Sequence, residues 1–161
     1  MKNIEILKEN KQSLWLDFIS RDLVQSGELE ALIKQRGVTG LTSNPSIFEK
    51  AISDSNDYDK SIIKLLKSNS KISAPEIFEE LSVYDIKKAA ELLLKTYENT
   101  NHLDGYVSIE VSPKVAYKTK ETIDQALHLN KKINMPNIMI KVPATDEGIK
   151  AIKILINIRI L

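Results

Sequence analysis

A single lysine interrupts an otherwise apolar run in the stretch Ile138-Met139-Ile140-Lys141-Val142. A short apolar run of this kind, bounded by helical patterns, is typical of a strand that is buried in a parallel sheet. Three similar runs come before it in the chain. The sequence therefore predicts four strands, at residues 14–19, 37–44, 105–111 and 137–142.

Amphipathic stretches with helix-start signals separate the predicted strands. Asn44-Pro45 has the order of an N-cap followed by a first helical residue, and Ser73 and Glu76 have the spacing of a capping box. We expect the helix after Ser73 to run to about residue 97, with a break near Ser82, and a later helix to cover residues 112–133. This alternation predicts a single α/β domain over residues 1–161, with parallel strands joined by helical crossovers.

The composition excludes several classes of protein. Of the 161 residues, 42% are apolar and 28% are charged, and the formal net charge is +1. This near-neutral balance argues against a protein that binds nucleic acid or an anionic membrane. The chain has no Cys and only two His, which excludes a thiolate metal site and leaves little for a histidine site. No run is long and apolar enough to span a bilayer, so we expect a cytoplasmic protein. The chain also lacks a glycine-rich nucleotide loop. No bound metal is expected.

Each predicted strand carries a polar residue near its carboxyl end, on the face opposite its apolar side chains. These residues are Asp17, Asn44, Glu110 and Lys141. Parallel α/β proteins build their sites at the carboxyl ends of their strands. The four side chains are therefore expected to converge at this edge of the sheet. Lys141 would supply an amine nucleophile, Asp17 and Glu110 two acid/base carboxylates, and Asn44 a hydrogen-bonding amide.

The first predicted strand shows the alternation on which this assignment depends. Trp15, Asp17 and Ile19 share one face, and the helix-facing side takes Leu14, Leu16 and Phe18. Residues 14–19 are therefore expected to form one continuous strand.

Lys141 carries the most specific chemistry of the four. Burial of a lysine in an apolar strand removes hydration and disfavours its charged form, and a neutral amine forms a Schiff base with a carbonyl substrate. Structural interpretations stay open: Lys141 as an ion-paired or edge-strand lysine, Asp17 and Glu110 as ion-pair partners, and Asn44 as a helix cap. His102 and His128 have no ligand spacing and are assigned structural roles.

Four motifs resemble the successive strand-end motifs of the transaldolase family, most closely its longer bacterial branch. They occur in the family's order and spacing, and the resemblance runs from about residue 11 to about residue 155. The motifs are Trp15-Leu16-Asp17, Gly40-Leu41-Thr42-Ser43-Asn44-Pro45-Ser46-Ile47-Phe48, Val107-Ser108-Ile109-Glu110-Val111 and Ile140-Lys141-Val142-Pro143-Ala144-Thr145.

This resemblance implies a (β/α)₈ barrel of the TIM type and a cofactor-free aldol transferase. Lys141 would be the Schiff-base lysine. Asp17 would be the acid/base at the hydroxyl of the carbon whose bond breaks. Glu110 would work through a water during formation and dehydration of the carbinolamine. Asn44 would hold a hydroxyl of the substrate, and Thr42 and Ser108 are assigned to substrate binding with it. The implied partners are sugar phosphates: a dihydroxyacetone unit passes from fructose 6-phosphate or sedoheptulose 7-phosphate to an aldose phosphate, in the non-oxidative pentose phosphate pathway.

The chain is shorter than the roughly 250 residues of such a barrel. We therefore expect only the first four to five βα units, in a partial barrel that resembles a truncated transaldolase and lacks the phosphate-binding residues of the family's second half. Its open edges predict self-association, and its inward face would expose Trp15, Ile19, Tyr106 and Met139 to water. The alternatives are a non-catalytic half-barrel fragment and a Schiff-base aldolase that cleaves without transfer.

Overall fold

The structure, a computed structural model, describes residues 2–158 of the chain. Within these residues helices alternate with short strands. The helices are α1 (Lys2–Glu9), α2 (Arg21–Gln25), α3 (Glu28–Arg36), α4 (Pro45–Ser53), α5 (Asp59–Ser68), α6 (Ala74–Asn99), α7 (Thr119–Ile133) and α8 (Asp146–Asn157), with a 3-10 turn at Pro113–Val115. The strands are β1 (Leu14–Leu16), β2 (Val38–Leu41), β3 (Val107–Glu110) and β4 (Ile138–Lys141).

The four strands form one parallel sheet in the order β1-β2-β3-β4. Each strand therefore pairs with its neighbours along the chain, and helices supply every crossover, as the alternating pattern predicts. Register places Glu110 opposite Lys141 and Leu16 opposite Leu41. In the described part of the chain β1 and β4 are the two edges of the sheet. The predicted α/β class with four parallel strands is confirmed.

The core lies between one face of the sheet and the helices. Val107, Ile109 and Ile140 point into this core from the strands. Among the helices, α6 contributes the most residues to it. The α6 core residues are Val83, Ile86, Ala89, Ala90 and Leu93. Their spacing of three and four residues keeps them on one side of the helix. A long amphipathic helix is thereby anchored behind β2 and β3.

The prediction of one strand over residues 14–19 is wrong. β1 ends at Leu16, and the chain turns so that Ile19 is fully buried in the helix-side core while Phe18 is 47% exposed. Ser20 causes this turn, because its hydroxyl caps α2 by accepting a hydrogen bond from the Leu23 backbone N–H. The predicted places of Ile19 on the inward face and Phe18 on the apolar face are corrected accordingly.

Two helical boundaries also differ from the prediction. The break near Ser82 is absent, since this buried residue donates its hydroxyl to the Phe78 carbonyl and stays inside a continuous α6. The helix expected over residues 112–133 divides into the 3-10 turn and α7. Before β2, α2 and α3 are separate helices with Gly27 between them, at a φ of 89° that favours glycine.

A buried ion pair joins α2 to α6. Arg21 Nε donates to Asp85 Oδ1 at 2.5 Å, and both side chains are almost fully buried. The guanidinium also donates to Ser61 and lies between the rings of Tyr58 and Tyr84. Burial raises the pKa of the Asp85 carboxyl, an effect that the charge of Arg21 opposes. The pair thus holds α2 against α6. Loss of either charge alone would leave the other buried without a partner and would destabilise the fold.

Between residues 2 and 158 no helix is both long enough and apolar enough to cross a membrane.

Candidate active site

Lys141 ends β4 and carries the predicted nucleophilic amine to the carboxyl edge of the sheet. Its Nζ lies 3.5 Å from Glu110 Oε2 and donates a hydrogen bond of 3.2 Å to Thr42 Oγ1. The parallel register explains this meeting, because Glu110 and Lys141 are direct partners on β3 and β4. An amine, a carboxylate and a hydroxyl from three consecutive strands therefore share one small region.

Hydrogen bonds from the hydroxyl groups of Ser108 and Ser43 hold the strand ends of this region together. Ser108 Oγ donates to Thr42 Oγ1 at 3.0 Å, so Thr42 receives hydrogen bonds from two sides. Ser43, which is fully buried, donates to the Ser108 backbone carbonyl at 2.8 Å and locks β2 to β3 just past the end of the ladder. Thr42 is thereby held in the place where it contacts the Lys141 amine.

Both charged groups of the site keep contact with water. The side chain of Lys141 is 38% exposed and that of Glu110 is 27% exposed. The expected loss of hydration at Lys141 is therefore only partial in this structure. The cause is the open inward face of the sheet, where Met139 on the same strand is 36% exposed. Of the predicted inward-facing set, Trp15 and Tyr106 are half-buried.

Asn44 follows β2 and caps α4. Its Oδ1 accepts a hydrogen bond of 2.9 Å from the Ile47 backbone N–H, and Pro45 occupies the first helical position. The cap interpretation of Asn44 is thus correct, and the amide oxygen is used locally. The Asn44 Nδ2 group remains the part of this side chain that has a donor to offer a ligand.

Asp17 lies beside the Thr42 end of β2, because the Thr42 backbone N–H donates a hydrogen bond to the carbonyl of the preceding residue, Leu16. It follows β1, the edge strand opposite β4, and its side chain is exposed. The structure brings Lys141, Glu110, Thr42 and Ser108 together, and among the described residues no hydrogen bond or ion pair joins the Asp17 side chain to them.

The weaker candidates have structural contacts. The imidazole of His102 stacks on Tyr97 with ring centroids 4.3 Å apart, and His128 pairs with Glu79 at 2.8 Å on the outer helices. In residues 2–158 no three His, Asp or Glu side chains cluster closely enough to hold a metal ion. What the sequence reasoning missed is the role of Ser43, although its place between Thr42 and Asn44 in a strand-end motif marks it for attention.

Comparison with known proteins gives this arrangement a family context. The family model described as transaldolase/fructose-6-phosphate aldolase matches residues 14–160. The matched segment contains every predicted site residue, from the aspartate after β1 to the lysine that ends β4.

Curated relatives agree with this match. The chain is 44% identical over 147 residues to transaldolase 2 of Nostoc sp. strain PCC 7120, an alignment that covers 91% of this chain and 38% of the relative. Transaldolase of Trichodesmium erythraeum is 43% identical over 141 residues, covering 88% and 37%. Transaldolase of Mycobacterium ulcerans is 40% identical over 150 residues, covering 93% and 40%.

The chain therefore spans about two fifths of the length of these relatives. The match nevertheless covers nearly all of the chain itself. Together with the parallel sheet and the strand-end lysine and carboxylate, it shows that the chain belongs to the transaldolase/fructose-6-phosphate aldolase family.

Proposed function

We propose that this chain carries the Schiff-base half of a transaldolase active site, with Lys141 as the nucleophile. The observation that carries the proposal is the Lys141 amine, which lies 3.5 Å from a carboxylate and 3.2 Å from a hydroxyl at the carboxyl ends of three parallel strands. The family match over residues 14–160 supports the same role. In this proposal the chain forms a single domain with the first four βα units of a TIM-type barrel.

The proposed reaction begins when the Lys141 amine attacks the carbonyl carbon of a ketose phosphate. Glu110 accepts and returns protons through a water, so that the carbinolamine loses its hydroxyl as water and an imine forms. Loss of the proton from the C4 hydroxyl then breaks the C3–C4 bond, which releases an aldose phosphate and leaves an enamine on Lys141. Attack of this enamine on an acceptor aldehyde forms the new carbon–carbon bond, and hydrolysis frees the lysine.

The remaining predicted residues have binding or acid/base roles in this proposal. Thr42 and Ser108 place the amine and contact the hydroxyl groups of the substrate, and Asn44 offers its Nδ2 to the dihydroxyacetone unit. Asp17 takes the proton from the C4 hydroxyl.

The proposed substrates are fructose 6-phosphate or sedoheptulose 7-phosphate as donor and an aldose phosphate as acceptor, in the non-oxidative pentose phosphate pathway. No cofactor is required, since the lysine itself supplies the electron sink. Two alternatives stand beside this function. One is a half-barrel fragment without catalysis. The other is a Schiff-base aldolase that cleaves without transfer, in keeping with the fructose-6-phosphate aldolases of the same family.

A triose phosphate release assay separates these alternatives. The chain is mixed with fructose 6-phosphate, with and without erythrose 4-phosphate, and glyceraldehyde 3-phosphate is measured by a coupled assay. The proposal predicts release that depends on the acceptor and is absent in Lys141→Arg, because a guanidinium stays protonated; Lys114→Arg, an exposed lysine outside the site, is the matched control. Release without an acceptor indicates simple cleavage, and no release indicates the fragment.

A further inference from the structure

The short segment that carries Asp17 is held at both of its ends. Residues 17–20, the Asp17 loop, join β1 to α2. At the start of this loop the Thr42 backbone N–H donates a hydrogen bond of 2.9 Å to the Leu16 carbonyl. At its end the Ser20 hydroxyl caps α2. The place of Asp17 therefore depends on how firmly the first residues of α2 are held.

A buried tyrosine holds the first residue of α2. Tyr58 is fully buried just before α5, and its hydroxyl oxygen accepts a hydrogen bond of 2.9 Å from the Arg21 backbone N–H. The first N–H groups of a helix have no partner within the helix, so a buried one needs a partner from elsewhere. Tyr58 supplies this partner from a position 37 residues further along the chain.

Charged and aromatic contacts keep Tyr58 in this place. The Arg21 guanidinium lies 4.7 Å from the centre of the Tyr58 ring, donates to Ser61 on α5 and pairs with Asp85 on α6. Burial and the negative charge of Asp85 raise the pKa of the Tyr58 hydroxyl, so this group stays neutral. Ser61 and Asp85 bond to the Arg21 side chain, whereas Tyr58 bonds to the backbone at the end of the Asp17 loop.

We propose that Tyr58 is a positioning residue that sets the place of Asp17 by holding the Arg21 backbone, an inference that rests on the proposed acid/base role of Asp17. Tyr58 acts through the backbone of the Asp17 loop rather than by contact with the substrate. The start of this loop is bonded to Thr42, whose hydroxyl accepts a hydrogen bond from the Lys141 amine. A firmly held end therefore keeps Asp17 in a constant place relative to that amine. A displacement of about 1 Å in a reacting group can slow a reaction by about 10²-fold.

Two tyrosines of the same cluster allow a matched comparison. Tyr58→Phe removes the hydroxyl that holds the Arg21 backbone and keeps the ring beside the guanidinium. Tyr84→Phe removes a hydroxyl from the other ring, 4.5 Å from the same guanidinium, where it accepts a hydrogen bond of 3.4 Å from the exposed Gln25. A general loosening of the cluster would appear in both variants, whereas a loss of positioning appears in Tyr58→Phe alone.

Amide hydrogen exchange, followed residue by residue by NMR on the full chain, tests the contact without requiring catalysis. Tyr58→Phe should speed exchange at Arg21 and at residues 18–20 by about tenfold or more and should leave the core amides of α6 unchanged, because the opening is local. Tyr84→Phe should leave all of these rates unchanged. Unchanged exchange at Arg21 in Tyr58→Phe, or an equal acceleration in the loop and in α6, would overturn the inference.

The wild-type chain supplies a second measurement that does not depend on the folding of a variant. Helices α2 and α8 begin alike, since the hydroxyls of Ser20 and Thr145 each cap the N–H of the third helical residue. The first amide of α2, at Arg21, has the Tyr58 contact in addition, and the first amide of α8 belongs to the exposed Asp146. The Arg21 amide should exchange about tenfold or more slowly than the Asp146 amide. Equal rates would overturn the inference even if Tyr58→Phe does not fold.

Two reaction steps separate this positioning role from the proposed function. With fructose 6-phosphate and borohydride, Tyr58→Phe should form the imine on Lys141 at a rate within about twofold of wild type, and it should release triose phosphate about tenfold or more slowly, because Asp17 acts at bond cleavage. An equal fall in both rates, or no fall in release, would overturn the positioning role. A wild-type chain without imine or release would refute the proposed function instead, and the exchange rates then decide whether Tyr58 holds the Asp17 loop.

Discussion

Glu110 and Asp17 are expected to act at different steps, and single substitutions at the residue scale separate them. Glu110→Gln should slow formation of the imine by roughly 10²–10⁴-fold, because it removes the group that moves protons during dehydration. Asp17→Asn should leave imine formation intact and reduce triose phosphate release by a similar factor. The two rates are measured by borohydride trapping and by the coupled assay. Equal effects of both variants on both rates would refute the assignment of separate roles.

The Arg21–Asp85 pair gives a stability prediction at the same scale. Asp85→Asn leaves a buried guanidinium without its counter-charge and should lower the free energy of unfolding by about 3–5 kcal/mol. Replacing both partners, as Arg21→Met with Asp85→Leu, should recover much of this loss because no unpaired charge remains. Urea unfolding measures both. Glu30→Gln, in the exposed pair with Lys34, should change the unfolding free energy very little; an equal loss there would show that burial is not the cause.

At the scale of elements, the turn from β4 into α8 depends on one glycine. A Cβ atom at Gly148 would clash with the backbone carbonyl oxygen of Pro143, and Thr145 also caps the helix at this residue. Gly148→Ala should therefore cost about 1–3 kcal/mol through overpacking and should displace the carboxyl end of β4, where Lys141 lies. The exposed Lys150→Ala on the same helix should cost less than about 0.5 kcal/mol. Thermal melts of the two variants decide, and equal stability would show that the turn has room to relax.

The packing of α7 on α6 should give the stability a pH dependence. Burial tends to raise the pKa of Glu79, but hydrogen bonds from Lys132 and His128 outweigh it and lower that pKa below its usual 4.5. The folded state therefore binds fewer protons than the unfolded state just below pH 4.5, so this contribution is present above that pH and is lost as the pH falls through the lowered pKa. Glu79→Gln should flatten the decline in stability over this acid range. An unchanged slope in chemical unfolding at pH 3–5 would exclude the contribution.

How much of these elements could be predicted from sequence depended on the kind of signal. The four strands and their parallel order followed from apolar runs that alternate with capped helices, and Asn44-Pro45 and Ser73–Glu76 marked true helix starts. The end of β1 was not predictable from alternation, since Asp17-Phe18-Ile19 continues the pattern and only the Ser20 cap contradicts it. Helix α1 has a mixed polar sequence without a cap signal and was not predicted.

The site could be predicted in part for the same reason. Alternation along each strand predicts that Lys141 and Glu110 share the inward face, and the register that places them opposite each other is seen in the structure. Thr42, assigned only to substrate binding, turned out to contact the lysine itself. The distance from Asp17 to Lys141 depends on how far the sheet curves, and no pattern within one strand contains that information.

At the scale of the whole molecule, the self-association that the sheet edges predict would make the stability of the 161-residue chain depend on protein concentration. Association of folded copies adds free energy by mass action, so the Tm should rise by a few degrees for each tenfold increase in concentration. Met139→Asp adds a charge to an exposed side chain on the edge strand β4 and should remove this dependence, whereas Leu66→Asp, an exposed apolar position on α5, should keep it. Differential scanning fluorimetry over two decades of concentration measures the effect. A Tm that stays constant in the wild-type chain would indicate a monomer whose sheet edges remain unpaired.

The central claim is that Lys141 is a Schiff-base nucleophile, and covalent trapping tests it most directly. The chain is incubated with fructose 6-phosphate and borohydride, and the modified peptide is identified by mass spectrometry. We predict a reduced adduct on Lys141, absent in Lys141→Arg and retained in Lys114→Arg. An unmodified Lys141, with the adduct on another lysine or on none, would contradict the account.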